Sequence, residues 1–355
     1  MKKTLLTIYN VLLTALLLAG YVFAFYFAWQ IGTKEIISVL IGMVYGFVFA
    51  PIFHELGHLC FAQINGMEYV YFKAFCFRFI RKDGRVKFSL ASPFAADQTQ
   101  VIPKRGGNMK KRVASYAIGG LIFEGVMLAF LLAGAIVCAV LGAVTFVLWA
   151  MIPYFAYLFL LNVIPAYLAG GKTDAAVYRG IKKGKDVEQN MLAAMEIHGQ
   201  LYEGKSFAEI DKSWFFDQPQ LCEDEPLFAV MLDLRYRYCL EKGDFDEAAD
   251  QLNRLAQTQA YLSDEEVGKI AAELAYMHAV NQDIERAEEC EKLCFSYLSK
   301  DITTAHRIQA ALAYMRKDFE EVEIRKELAE KALNKERIQG NAKFEKVLLS
   351  RIQTE

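Results

Sequence analysis

The chain has 355 residues, 54% of them apolar, a mean hydropathy of +0.18 and a formal charge of −2. These averages hide two halves: residues 1–175 hold 15 Lys and Arg against 7 Asp and Glu, and residues 176–355 hold 25 against 35. An apolar, basic half followed by an acidic, charged half means a membrane domain joined to a soluble one, and the lack of a basic face in the second half argues against nucleic-acid binding.

Lys2-Lys3 precede an uncharged run over residues 4–33. A secretory signal has an apolar stretch of about 7–15 residues, whereas a bilayer span takes about 20. The run predicts an uncleaved first membrane helix over 5–29. Residues 36–53 are again uncharged and lead into Phe53-His54-Glu55-Leu56-Gly57-His58-Leu59, inside a second helix predicted over 35–64. On a helix, positions i and i+4 share a face, so His54 and His58 can offer two imidazole nitrogens to one metal. Glu55 lies beside them, close enough to a bound water to take its proton, which is the constellation of zinc-dependent hydrolysis. The plainer alternative is two polar histidines at a helix end near the membrane surface. Burying three ionisable side chains in an apolar helix needs a compensating reason, which weighs against it. Pro51 predicts a kink or break just before the motif.

Residues 66–112 form the one long polar interruption of the first half, with eleven Lys and Arg and three Asp and Glu. Tyr69–Ile80 is rich in aromatic and β-branched residues, Asp83-Gly84 is a turn signal, and Val86–Leu90 follows. The pattern predicts a β-hairpin. Both faces of its first strand carry apolar side chains, so it should lie against the membrane or the helices. Residues 113–171 carry a single charge, Glu124, and predict two more spans over 113–137 and 144–166 with a turn near Gly142. Lys2-Lys3 and the basic loop belong in the cytoplasm by the positive-inside rule, so both termini and the acidic domain of this four-span chain are expected there too.

From about residue 180 the pattern is soluble and helical. Asp244, Asp283 and Asp318 open three similar segments, 39 and 35 residues apart. That spacing is similar to tetratricopeptide-type helix pairs, which repeat every 34 residues and make partner-binding surfaces. Cysteines at 60, 76, 138, 222, 239, 290 and 294 are odd in number and irregular in spacing. They imply no disulfide framework and fit a reducing compartment.

A catalytic zinc usually takes three protein ligands. His198, His278 and His306 lie in the soluble half and read as ordinary surface or packing histidines, which leaves Glu124 and Asp174. Asp174 follows a Pro165 and Gly170-Gly171 exit from the fourth span, and reads either as a ligand turned back to the metal or as a turn or capping residue. Together, His54-Glu55-Leu56-Gly57-His58 in a membrane helix, Asn162-x-x-Pro165 and Asp174 resemble the site-2 protease family of intramembrane zinc metalloproteases. The resemblance covers about residues 35–180. It implies Zn2+ held by His54, His58 and Asp174, Glu55 as general base and Asn162 as a substrate contact. Three departures stand out. Ala175 follows the aspartate where the family has Gly. The gap from Pro165 to Asp174 is longer than usual. Glu124 stands after Gly119-Gly120 where the family has Asn, so it is a further candidate for substrate contact or metal binding.

The expected fold is an all-α multi-pass membrane protein with a short β-hairpin insertion, plus a C-terminal α-helical, tetratricopeptide-like domain. Its parts are a first membrane helix over 1–34, a protease core over 35–175 with its hairpin loop at 66–112, linker helices over 176–220, and a cytoplasmic helical-repeat domain over 221–355. The expected activity is hydrolysis of peptide bonds in or next to transmembrane segments. The expected partners are a transmembrane substrate, the bilayer and a cytoplasmic protein. Two other readings stay open: a membrane zinc hydrolase of another lineage with Glu124 as third ligand, and a non-catalytic membrane adaptor.

Overall fold

The computed structural model describes residues 3–82, 84–168, 171–258 and 262–352. It divides into two compact units, one running through Ile102 and resuming over Asn108–Lys185, the other taking Pro103–Gly107 and everything from Asp186 onward.

The first unit is built on helices α1 (Lys3–Ile31) and α2 (Thr33–Ile64), strands β1 (Met67–Ala74), β2 (Phe77–Lys82), β3 (Arg85–Leu90) and β4 (Gln98–Pro103), helices α3 (Met109–Ala117), α4 (Gly119–Val140) and α5 (Phe146–Val163), the two-residue strands β5 (Tyr167–Leu168) and β6 (Gly171–Lys172), and α6 (Asp174–Lys183). Four helical stretches are long and apolar enough to cross a membrane: Leu5–Ile31, Thr33–Ile64, Met109–Val140 and Phe146–Val163. The third carries a joint at Ile118, between α3 and α4. Leu12, Phe23, Trp29, Phe130 and Val140 point outward and exposed. An apolar exterior is what a lipid-facing bundle requires, because its backbone groups are already satisfied within each helix.

Helix α2 is central and packs against α1, α4 and α5. It continues through Pro51, so the predicted break does not occur. The residue before the proline packs in an apolar cluster: Ala50 and Phe155 are fully buried there with Leu131. The crossing of α2 with α4 is close at Gly57, where a Cβ would fall 2.4 Å from the Gly119 carbonyl oxygen.

The predicted hairpin is a four-stranded sheet of order β3-β2-β1-β4, antiparallel across β1–β2 and β2–β3. The stretch 69–80, read as one strand, folds back on itself at Phe75-Cys76. Tyr71 pairs with Ile80 and Ala74 with Phe77. Phe75 adopts a left-handed backbone (φ 53°). That conformation is uncommon for a bulky residue and has no sequence signal. The Phe47 ring of α2 meets it edge-on at 5.6 Å. Gly84 has φ 75° as a hairpin turn requires, while Asp83 lies outside the described residues. Strand β4 is polar and unremarkable in sequence, yet Thr99 in it is buried.

The second unit is helical: α7 (Asp186–Tyr202), a 3-10 turn (Phe207–Glu209), α8 (Ser213–Phe216), α9 (Pro226–Lys242), α10 (Phe245–Gln257), α11 (Asp264–Val280), α12 (Ile284–Leu298), α13 (Thr303–Met315), α14 (Phe319–Leu333) and α15 (Gln339–Ser350). α9 packs on α10, α11 on α12 and α13 on α14 around one apolar core that includes Phe215, Leu232, Tyr236 and Phe344. The three similar segments do the same job in each pair. Gly243, Gln282 and Lys317 turn left-handed with φ of 82°, 60° and 61°. The aspartates that follow, Asp244, Asp283 and Asp318, cap the next helix by accepting from the backbone N–H of Glu247, Arg286 and Glu321. A left-handed residue ends one helix and an aspartate starts the next, which fixes the angle of each pair.

Candidate metal centre

Helix periodicity puts His54 and His58 on one face of α2, with ring centroids 5.0 Å apart. Both are buried, as is Glu55. The face they share meets α4 at Gly120. A Cβ there would fall 2.6 Å from His58 Nε2 and 2.8 Å from His54 Nε2, so the glycine leaves the imidazole tips room to converge.

Asp174 arrives from the other side of the motif. After α5 ends at Val163, the chain makes the small β5–β6 hairpin, with Tyr167 opposite Lys172 and Leu168 opposite Gly171. The long stretch between Pro165 and Asp174 is spent on this hairpin. Thr173 then ties it off, donating from its hydroxyl to the Ile164 carbonyl at 2.7 Å and accepting from Ala176 N–H as the N-cap of α6. Because Thr173 does the capping, the Asp174 carboxylate is left for the histidines. Its Oδ2 lies 3.2 Å from His54 Nε2 and 3.3 Å from His58 Nε2.

The outer ring nitrogens decide the protonation. His58 Nδ1 is 3.0 Å from the Tyr116 backbone carbonyl, which can only accept, so this nitrogen carries the proton. His54 Nδ1 is 3.0 Å from Glu124 Oε2, and the same assignment follows if Glu124 is a carboxylate. In neutral imidazoles both Nε2 atoms then present lone pairs. Two lone pairs and a carboxylate oxygen point at one another, and Asp174 Oδ2 has no hydrogen-bond partner of its own. Three acceptors at this spacing repel unless a cation lies among them. His54, His58 and Asp174 offer ligand atoms all within 4.8 Å of one another, and they form the one such group among the described residues. Two imidazoles and one carboxylate, each histidine with its second nitrogen anchored, fit a metal ion.

Glu124 is fully buried, and its Oε2 holds the outer nitrogen of His54, outside the convergent trio. Glu55 Oε2 accepts a 2.6 Å hydrogen bond from the Thr99 hydroxyl of β4. Asn162 donates back to the Leu158 carbonyl of its own helix at 3.3 Å, and among the described residues it makes no hydrogen bond to the His54–His58–Asp174 group. Sequence reasoning missed Thr99 and the Tyr116 carbonyl. Neither has a linear signal, since a threonine in a polar strand and a peptide oxygen acquire meaning only when the sheet and α3 close over α2. Comparison of the chain with protein-family models, with curated proteins and with solved structures finds no match.

Proposed function

We propose that the protein is an intramembrane zinc metalloprotease, cutting peptide bonds in or beside transmembrane segments. The observation that carries the reading is the convergence of His54, His58 and Asp174 beside Glu55, within a chain that has four helices able to span a bilayer. Zn2+ bound by these three residues would supply Lewis acidity, bringing the pKa of a water toward 7 and polarising a scissile carbonyl. Glu55 takes the proton from the attacking water and hands it to the leaving amine. Glu124 and the Tyr116 carbonyl orient the two imidazoles. Burial of the two imidazoles and of Glu55 shields the reaction from bulk water.

A substrate helix must unwind first, because its internal hydrogen bonds block attack. The sheet offers an edge for the unwound segment at β4, the strand that also carries Thr99. Asn162 is assigned to substrate, a role the site-2 protease resemblance implies. The positive-inside argument places both termini, and the acidic helical unit, in the cytoplasm. The three equivalent helix pairs fit a tetratricopeptide-like array that receives a partner protein.

The test is metal analysis and cleavage of a transmembrane peptide in liposomes by wild type, Asp174→Ala and Glu124→Ala. The proposal expects one zinc per wild-type chain, cut substrate, and loss of both in Asp174→Ala. Zinc kept in Asp174→Ala and lost in Glu124→Ala would instead favour a hydrolase with Glu124 as ligand.

A further inference from the structure

Thr99 sits where three parts of the first unit meet. It lies on β4, the outermost strand of the sheet next to β1. Its side chain is buried, and its hydroxyl is 2.6 Å from Glu55 Oε2 and 3.5 Å from the Glu55 backbone oxygen. Its own carbonyl accepts from the Tyr116 hydroxyl. The Tyr116 carbonyl in turn accepts from His58 Nδ1 at 3.0 Å. These bonds close a ring that runs from Glu55 to Thr99, on to Tyr116, to His58 and back along α2. The proposed base and one proposed metal ligand are thus held by a single strand residue and a single tyrosine.

An ionised carboxylate has only acceptors, so in this contact the threonine donates. A glutamate side chain has three rotatable bonds, and among the described residues no other hydrogen bond holds its head group. Fixing one oxygen fixes the plane of the carboxylate and leaves the other oxygen for the reaction. A β-branched residue suits the task, since its χ1 is stiff and its strand is tied to the sheet.

We propose that Thr99 is a positioning residue that holds Glu55 in its working orientation, and that β4, the outermost strand of the sheet, thereby helps set the group that acts on the substrate. This rests on the proteolytic reading above. It assigns to a strand with no sequence signal a part in setting the rate.

The test compares Thr99→Val, which keeps the shape and removes the donor, with Thr99→Ser, which keeps the donor. Full-length variants in liposomes are assayed for kcat and KM on a transmembrane peptide, for zinc per chain and for melting temperature. Thr99→Val is expected to lose about 10- to 100-fold in kcat, the usual scale for a hydrogen bond to a charged group. Its KM, zinc content and melting temperature should stay at wild-type values, and Thr99→Ser should keep most of the rate. Wild-type kcat in Thr99→Val would overturn the proposal. So would an equal loss in Thr99→Ser, or zinc loss in step with activity, since either marks a merely structural role. If wild type cleaves nothing, or Glu55→Gln cleaves like wild type, the proteolytic reading falls and this proposal with it. If Glu55→Gln is inactive while Thr99→Val runs at full speed, only the role of Thr99 falls.

Discussion

His54 uses both ring nitrogens: Nε2 faces Asp174 at 3.2 Å and Nδ1 is held by Glu124 at 3.0 Å. A lone carboxylate in a membrane helix costs roughly 2.5–3.5 kcal/mol on insertion scales, so Glu124 needs such a partner. Replacing the second partner of a metal-binding histidine typically weakens metal affinity 10- to 100-fold. Glu124→Gln is therefore expected to release zinc to a chelator at about tenfold lower chelator concentration than wild type, measured by equilibrium dialysis. Unchanged retention would show that Glu124 has no part in orienting His54. The i, i+4 histidines and their neighbouring glutamate were legible because they are local and periodic. Glu124 was legible as an anomaly, a single charge in an apolar run, but its partner was not. Which of two nitrogens it holds depends on a helix crossing that no pattern in the chain records.

The elements around the motif depend on small residues as much as on polar ones. Gly120 leaves no room for a Cβ between the imidazoles, whereas Gly134 on the same helix would place one 3.7 Å from Leu148, an ordinary contact. Gly120→Ala is expected to abolish zinc binding, and Gly134→Ala to leave it intact, as read by metal analysis of the purified proteins. Equal zinc content in the two would mean that the α2–α4 crossing yields readily. The four apolar spans and the helical character of the second half follow from charge spacing and run length, which act over tens of residues. The sheet was only half legible. Apolar side chains on both faces of 69–80 hide the turn at Phe75, and β4 has too little hydrophobic alternation to stand out. The aspartates of the three helix pairs could be seen as a repeat, but Gln282 and Lys317 as left-handed residues could not, since neither is glycine.

At the scale of the whole molecule, one half is held by lipid-compatible packing and the other by a core that encloses charge. In the helical unit Arg307 is fully buried, 2.9 Å from Glu273 and 2.7 Å from Glu345, with its guanidinium 4.3 Å over the Tyr276 ring. Burial alone would push the Glu273 carboxyl up, but Arg307 and Arg237 outweigh it and hold it below the usual range. A depressed carboxylate contributes its stability fully above its unfolded pKa, about 4.3, and loses it as pH falls through the lower folded value. The melting temperature of the helical unit, followed by circular dichroism, should therefore drop as pH falls below about 4.3. Arg307→Met should already lower stability by about 3–5 kcal/mol at neutral pH, because it strands two buried carboxylates, and should show a smaller further loss in acid. An Arg307→Met protein as stable as wild type would mean that the buried cluster does not hold the unit together. The central claim concerns the other half and is tested most directly with Glu55→Gln in liposomes containing a transmembrane peptide, with zinc and product measured on the same samples. Retained zinc, about one per chain, with cleavage lost is the predicted result; cleavage at the wild-type rate by Glu55→Gln would contradict it.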